Sequence, residues 1–393
     1  MSRTKSNECV VEQGVGTLGV KAAQRIPLAS AHAFRIVYME AAQLETLLKV
    51  SSSNILSIVR HGHGQGPPEP DGLTACPVVC LDLPQFNWPP LTEVWTSSLP
   101  VTCHEAEGIR CAMNDEVLFG ALQSGERTGA RLDSMTYRAY RRLLGQARDL
   151  GYPYLLRVWN YFPRINSESD SLERYRRFCV GRHHALAEGL ADFPRTLPAG
   201  TAVGTMSGPL EIHFLASRQA GMHIENPRQV SAYKYPRSYG PRSPSFARAT
   251  LCSSFSASHL FIAGTASVIG HVSEHIGEPH EQTLEIIRNL RALITHTERL
   301  NGITREQWYK QALFKVYIRH PEHFATIRNI LREQLPAHAQ ILYLQGEMCR
   351  TELLLEIEGV LSQDKTDAVG QTISSPDVRF PQPLMPQHAR PDS

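Results

Sequence analysis

Strong net charge, paired cysteine motifs, long apolar runs and a basic-then-apolar leader are all missing from this sequence. The net charge is +2 with histidine neutral, so no global field favours nucleic acid or an anionic membrane. The 8 cysteines are scattered and never form C-x-x-C. Structural zinc usually needs two such close pairs. No stretch of about 18 apolar residues occurs, which argues against a membrane span. The opening MSRTKSNECVVEQGVG puts no apolar run behind its basic residues. It does not read as a secretory signal, and a reducing cytoplasm with free thiols is expected.

What is present suits an ordinary globular protein. The chain has 393 residues, 42% hydrophobic and 20% charged. That is enough apolar matter for two domains or one large one. The first 30 or so residues are weakly patterned. Gly62 to Gly72 (GHGQGPPEPDG) reads as a loop. Leu81 to Pro100 is a second weak stretch with several prolines. Ser362 to Ser393 is polar, ends Pro-rich and reads as a disordered tail.

Between these ends an internal duplication can be read. VLFGALQSG predicts a strand, and MTYRAYRRLLGQARDLG a helix with Tyr137, Tyr140, Leu143, Leu144 and Ala147 on one face. YLLRVWNYF is β-rich, ERYRRFCVGRHHALAEGL is helical, and PLEIHFLAS closes the unit. The order returns: HLFIAGTAS, then the helix EQTLEIIRNLRALITH, then ALFKVYIRHP, EHFATIRNILREQL, AQILYLQG and ELLLEIEGVL. The expected fold is α/β (α+β): two lobes from duplication, each a mixed sheet covered by helices. The expected boundaries are 1–107 for an N-terminal segment packed on the first lobe, 108–225 and 226–363 for the lobes, and 364–393 for the tail.

Several motifs suggest chemistry that their context does not support. Gly14-Val-Gly16-Thr-Leu-Gly19 fits G-x-G-x-x-G, but polar residues precede it where a nucleotide site needs a strand. His271-Val-Ser-Glu274-His275 fits H-x-x-E-H, which binds zinc only on a helix. Gly270 and Gly277 bracket it, so a loop is expected. His61 and His63 lack partners nearby in sequence, and His183 and His184 fit a solvated helix face.

Three clusters carry more weight. In Leu353-Leu354-Leu355-Glu356-Ile357-Glu358-Gly359 strand alternation puts both glutamates on one face. Burial and a like charge would raise a carboxyl pKa and keep a general acid protonated near neutrality. Periodicity leaves open an edge strand with two solvated glutamates. The segment from Tyr233 to Arg248 packs tyrosines and arginines between prolines and glycines. Arginine forks bind carboxylates, and tyrosines add hydroxyls and ring faces. Arg157-Val-Trp159-Asn160-Tyr161 ends a core strand with polar and aromatic groups, where binding residues often sit.

Together VWNYFPRIN, RRFCVGRHHAL, SAYKYPRSYGPRSPSFARAT, FIAGTASVIGH and CRTELLLEIEG resemble the chorismatases, from about Gly108 to about Leu361. That family is built from two lobes similar to the small RidA (YjgF) proteins. The resemblance implies that Glu356 is the general acid that protonates the methylene carbon of chorismate's enolpyruvyl ether, releasing pyruvate. No metal or redox cofactor is implied. Tyr235 and Arg248 are implied as substrate contacts, Arg328 as a further one, and Asn160 and Tyr161 as cleft lining.

A cysteine at 349 resembles the members that make 3-hydroxybenzoate, with Gly270 as the accompanying small residue. The alternatives are a hydrolase forming a dihydroxycyclohexadiene acid, a branch making both 3- and 4-hydroxybenzoate, a RidA-like imine deaminase, and a sensor of small aromatic acids. The expected partner is the small molecule chorismate, with no nucleic acid and no membrane. Both a monomer and a homo-oligomer are compatible with the sequence.

Overall fold

The computed structural model describes residues 34–51, 54–62, 76–125, 131–169, 171–253 and 257–364. Gly14 to Gly19, His63, most of the Gly62–Gly72 stretch and the tail beyond Asp364 lie outside them. Among the described residues no helix is long and apolar enough to cross a membrane.

The N-terminal module contains β1 (Arg35–Met39), α1 (Ala41–Ser51), β2 (Ile55–His61), β3 (Val78–Leu81) and β4 (Thr92–Thr96). The first lobe contains β5 (Thr102–Ala106), β6 (Ile109–Met113), β7 (Val117–Ser124), α2 (Leu132–Asp149), β8 (Tyr154–Pro163), α3 (Arg174–Gly189), β9 (Ala199–Thr205) and β10 (Leu210–Ser217). The second contains β11 (Met222–Ile224), β12 (Ala249–Cys252), β13 (Ala257–Thr265), α4 (Pro279–Asn301), α5 (Arg305–Tyr309), β14 (Gln311–Ile318), α6 (Phe324–Gln334), β15 (Gln340–Gln345) and β16 (Leu355–Asp364).

The two lobes have one topology. Their six-stranded sheets run β9-β8-β10-β7-β6-β5 and β15-β14-β16-β13-β12-β11. In each, a three-strand antiparallel meander leads to a helix. The fourth and fifth strands then pair in parallel across a helical crossover, and the last strand inserts between the third and fourth. The N-terminal sheet, β1-β4-β2-β3, repeats the last four of these strand positions. It is a truncated third version of the unit that the sequence does not reveal, because β4 lies in the Pro-rich stretch 81–100.

Strand alternation divides each sheet between two cores. Leu118 and Leu122 of β7 pack under α2 and α3, and Leu355, Ile357 and Leu361 of β16 pack under α4 and α6. Val117, Phe119 and Ala121 face the other way, into a core shared with Trp95 of the N-terminal module and with Phe261 and Tyr317 of the second lobe. The helices follow the apolar spacing read from sequence: Tyr140, Leu143, Leu144 and Ala147 of α2 are buried. α4 starts with Pro279 in its first turn and stops at Gly302, whose φ of 74° suits the left-handed cap that glycine adopts without strain.

Within the lobes β5, β6, β9, β11 and β12 went unread, and β9 is the one that reaches the interface between them. Ala199-Gly-Thr-Ala-Val-Gly-Thr205 forms β9 and is buried throughout. It has neither alternation nor bulky β-formers, because small residues are needed where the lobes meet. A Cβ on Gly200 would lie 3.0 Å from the Phe246 side chain.

Candidate active site

Between the lobes lies a partly open cavity. The first lobe supplies Arg182 of α3 and Thr201 of β9. The second supplies Tyr235, Tyr239, Arg248, Gly264, Cys349, Arg350 and Glu356. Four residues singled out from sequence therefore meet in one place: Glu356, Cys349, Tyr235 and Arg248.

β16 is a central strand, not an edge, with β13 on one side and β14 on the other. Glu356 and Glu358 share its inner face and are 5% and 4% exposed, which removes the reading of two solvated glutamates. The two carboxyls then diverge. Burial first, and the charge of Glu358 next, push Glu356 up to about 8, against the pull of Arg157 and Arg248. Burial opposes ionisation of Glu358 too, but Lys315 and Arg157 hold it below the usual carboxylate range. Arg157 Nη2 lies 2.7 Å from its Oε2, and Trp159 Nε1 donates to its Oε1 at 2.8 Å. A protonated acid thus sits two residues from an ionised one.

The carboxyl of Glu356 lies against bare backbone. A Cβ on Gly264 would come within 1.9 Å of its Oε1, so any side chain there would displace it. The Gly264 N–H donates to Thr201 Oγ1 at 3.0 Å, tying β13 to β9 of the other lobe. Cys349 is a neutral thiol: burial, then Glu356, push it up to about 12.

Cations line the remaining walls. Arg248 Nη2 donates to the Tyr235 hydroxyl at 2.7 Å and to the Val230 carbonyl at 3.0 Å. Its Nε, and Nε and Nη2 of Arg182, are buried without a hydrogen-bond partner among the described residues. Buried guanidinium donors left open in a cavity favour an anion, since an unmet charged donor is costly. The Arg350 guanidinium stacks 4.2 Å from the centre of the Tyr239 ring. Such a hollow can hold a small dianion with an apolar body beside a proton donor.

The structure places four expected residues elsewhere. Asn160 is fully buried in β8, accepting from the Tyr140 hydroxyl at 2.7 Å. Tyr140 in turn hydrogen-bonds Arg182, so Asn160 stands two side chains behind the wall. Tyr161 points into the shared core, 2.7 Å from the Tyr317 hydroxyl. Arg328 sits on α6 over the Phe324 ring, across the sheet from Glu356, because α6 covers the face that carries Leu355 and Ile357. Gly270 turns a short ribbon, Val268–Ile269 with Val272–Ser273, at φ 60°. A Cβ there would meet nothing within 4 Å, so it makes no room in the cavity.

Sequence reasoning missed Arg182, Thr201, Gly264 and Arg350. Arg182 was hidden beside His183 and His184 on an apparently polar helix, and of the three only His184 is exposed. Gly264 was legible as a glycine within an apolar strand, a frequent mark of close approach. The H-x-x-E-H motif is not helical. His271 Nδ1 lies 3.3 Å from the Tyr239 hydroxyl, and His275 Nε2 is 3.7 Å from Glu285. Among the described residues no three His, Cys, Asp or Glu side chains gather as a metal-ligand set.

Known proteins are similar to this chain in sequence and fold. Residues 93–216 match the family model "Chorismatase FkbO/Hyg5-like, N-terminal". A chorismatase of Streptomyces hygroscopicus is 35% identical over 312 residues, 78% of this chain and 89% of the relative. The chain belongs to the chorismatase family. A 3-hydroxybenzoate synthase of the same organism is 37% identical over 280 residues, 69% of this chain and 82% of its own. The crystal structure of a chorismatase superposes with a TM-score of 0.75 at 34% identity, covering 84% of this chain and 99% of that one. Among chorismatases, then, this chain pairs a buried acid on its last strand with an arginine-lined cleft between its lobes.

Proposed function

We propose that this protein is an enzyme acting on chorismate, converting it to pyruvate and 3-hydroxybenzoate with Glu356 as the general acid. The reading rests on one observation: a carboxyl held protonated by burial opens into a cleft lined by Arg182, Arg248 and Arg350. Chorismate has two carboxylates, which these arginines would hold and orient. Glu356 gives its proton to the methylene carbon of the enolpyruvyl ether. The neighbouring ring hydroxyl attacks the carbon that bears the ether, and the ether oxygen leaves with pyruvate; the migrating oxygen then gives up its bond to its first carbon, and the ring loses a proton to become aromatic with its hydroxyl at position 3. Substrate and the two products balance without added water or oxidant.

The 3-hydroxybenzoate product is supported by Cys349 and by the 37% identical 3-hydroxybenzoate synthase. Cys349 and Gly264 leave the cleft compact around Glu356, so the ring's own hydroxyl can act where water would otherwise attack. The test is incubation of purified protein with chorismate, with pyruvate assayed enzymatically and aromatic acids resolved by chromatography. Pyruvate with 3-hydroxybenzoate is expected. Pyruvate with 4-hydroxybenzoate or a dihydroxycyclohexadiene acid would reassign the product, and no pyruvate above background would sink the activity.

A further inference from the structure

Behind Glu356 lies a buried ion network that the chemistry above does not use. Glu93 of β4, Lys315 of β14, Glu358 of β16 and Arg157 of β8 are each 4% exposed or less. Lys315 Nζ bridges two carboxylates, 2.6 Å from Glu93 Oε2 and 3.4 Å from Glu358 Oε1. Arg157 Nη2 closes the row on Glu358 Oε2 at 2.7 Å. The same nitrogen donates to Thr201 Oγ1, which accepts from Gly264 at the wall against Glu356. Trp95 Nε1 donates to Glu93 Oε1 at 2.7 Å and fixes that carboxylate. The row has two negative and two positive charges and comes from all three sheets.

We propose that this row is the electrostatic base of the active site, and that Glu93 of the N-terminal module completes it by neutralising Lys315 so that Glu356 keeps its proton. The inference rests on Glu356 being the acid. Its physical content is charge balance in a dry core, where a lone charge acts over many ångströms with little screening. Without Glu93 the row is a net cation and favours ionised Glu356. Without Lys315 it is a net anion and disfavours it. Removing both restores neutrality.

Other charged groups face the two ends. Glu356 faces Glu358 on its own strand, Arg157 on β8, Arg248 and Tyr235 ahead of β12, Cys349 and Arg350 ahead of β16, and Arg182 on α3. Lys315 faces Tyr38, Glu93, Tyr161 and Glu358, with His61 and His213 close by. Burial holds both imidazoles well below their ordinary range. They stay neutral near pH 8, leaving the balance to the four-membered row.

The experiment compares Glu93→Gln, Lys315→Met and the double variant in the full chain. Two readouts are taken across pH: turnover of chorismate, and the infrared band of the protonated Glu356 carboxyl, assigned by its loss in Glu356→Gln. Glu93→Gln should move both downward in pH by about one unit, and Lys315→Met upward by a similar amount. The double variant should return them toward wild type. A merely structural role would lower turnover without opposed shifts. If the carboxyl titration stays in place in both folded single variants, the inference is overturned. If either single variant fails to fold, the double variant against the other single decides by the same shift. Should the carboxyl move while turnover ignores it, the network stands and the assignment of Glu356 as the acid fails.

Discussion

The two lobes each end on a strand bearing a buried glutamate, and only one of these glutamates opens into the cleft. Glu211 of β10 lies opposite Tyr161, and Glu356 of β16 lies opposite Tyr317. Burial is the leading cause that pushes each up to about 8. The surroundings differ. Gln123, directly across on β7, hydrogen-bonds Glu211, and nearby Arg110 donates to the Val78 carbonyl of the N-terminal module. Glu356 instead faces the glycine backbone at 264 and a hollow with open arginine donors. A raised carboxyl pKa is therefore found in both lobes at this position of the last strand, while Glu358, two residues on, is held low by its own cations. An active site needs, besides, the empty space and the anion-binding wall that only one lobe interface supplies.

The largest test of this contrast is a pair of isosteric changes. Glu356→Gln should lower chorismate turnover about a hundredfold or more, because no other group on that wall can deliver the proton. Glu211→Gln should leave turnover within about twofold. Equal losses in both would break the comparison. In the wild type, turnover should hold on the acid side and fall as pH rises through about 8, where Glu356 ionises. A fall centred near 4.5 would mean that the working form is the carboxylate.

Gly264→Ala comes next. The added methyl would lie 1.9 Å from Glu356 Oε1, so the carboxyl must swing away from its present place. Turnover should drop about tenfold to a hundredfold while the fold persists, since misplacing a catalytic group by about 1 Å has costs of that size. Gly270→Ala should not change turnover through the cavity wall, only strain a turn at φ 60°. If it proved the more damaging change, the cavity boundary drawn here would be wrong.

Cys349→Ala should act on product choice more than on rate. The smaller side chain leaves room beside Glu356, and the product ratio should move about fivefold toward the water-trapped dihydroxycyclohexadiene acid, a preference of about 1 kcal/mol. Unchanged products on chromatography would remove Cys349 from selectivity.

In stability the contrast reverses, because there the two glutamates should behave alike. A carboxyl raised in the folded state binds more protons when folded than unfolded between about 4.5 and 8. Stability therefore falls as pH rises through that window and levels off above it. Each glutamate should contribute a fall of about 3 to 5 kcal/mol. Urea unfolding of Glu211→Gln and Glu356→Gln across pH should show a flatter fall in both. No change in slope for Glu211→Gln would mean that its carboxyl ionises with little cost in the fold.

Much of the fold was legible because it rests on local periodicity. The alternation in LLLEIEG places Leu355 and Ile357 toward the helices and both glutamates away from them. The spacing in α2 marks Tyr140, Leu143, Leu144 and Ala147 as its buried face. Among the strands that failed to register, β9 and β4 are instructive. β9 is made of small residues so that the second lobe can approach, and β4 sits among prolines.

The site was legible only in part for the same reason. Glu356, Cys349, Tyr235 and Arg248 stand in distinctive local patterns. Arg182 and Gly264 take their meaning from what lies across the cleft, and Asn160, Tyr161 and Arg328 sit in suggestive patterns that packing turned elsewhere.

The alternation of the principal strands and helices in the two lobes, the face on which Glu356 stands and the absence of strong fields followed from the sequence, since each depends on residues near one another in the chain. Which of two equivalent glutamates meets open space, and which distant charges surround it, was decided only by the docking of three sheets. A cavity and an electrostatic balance are properties of surfaces brought together, and no single segment contains them.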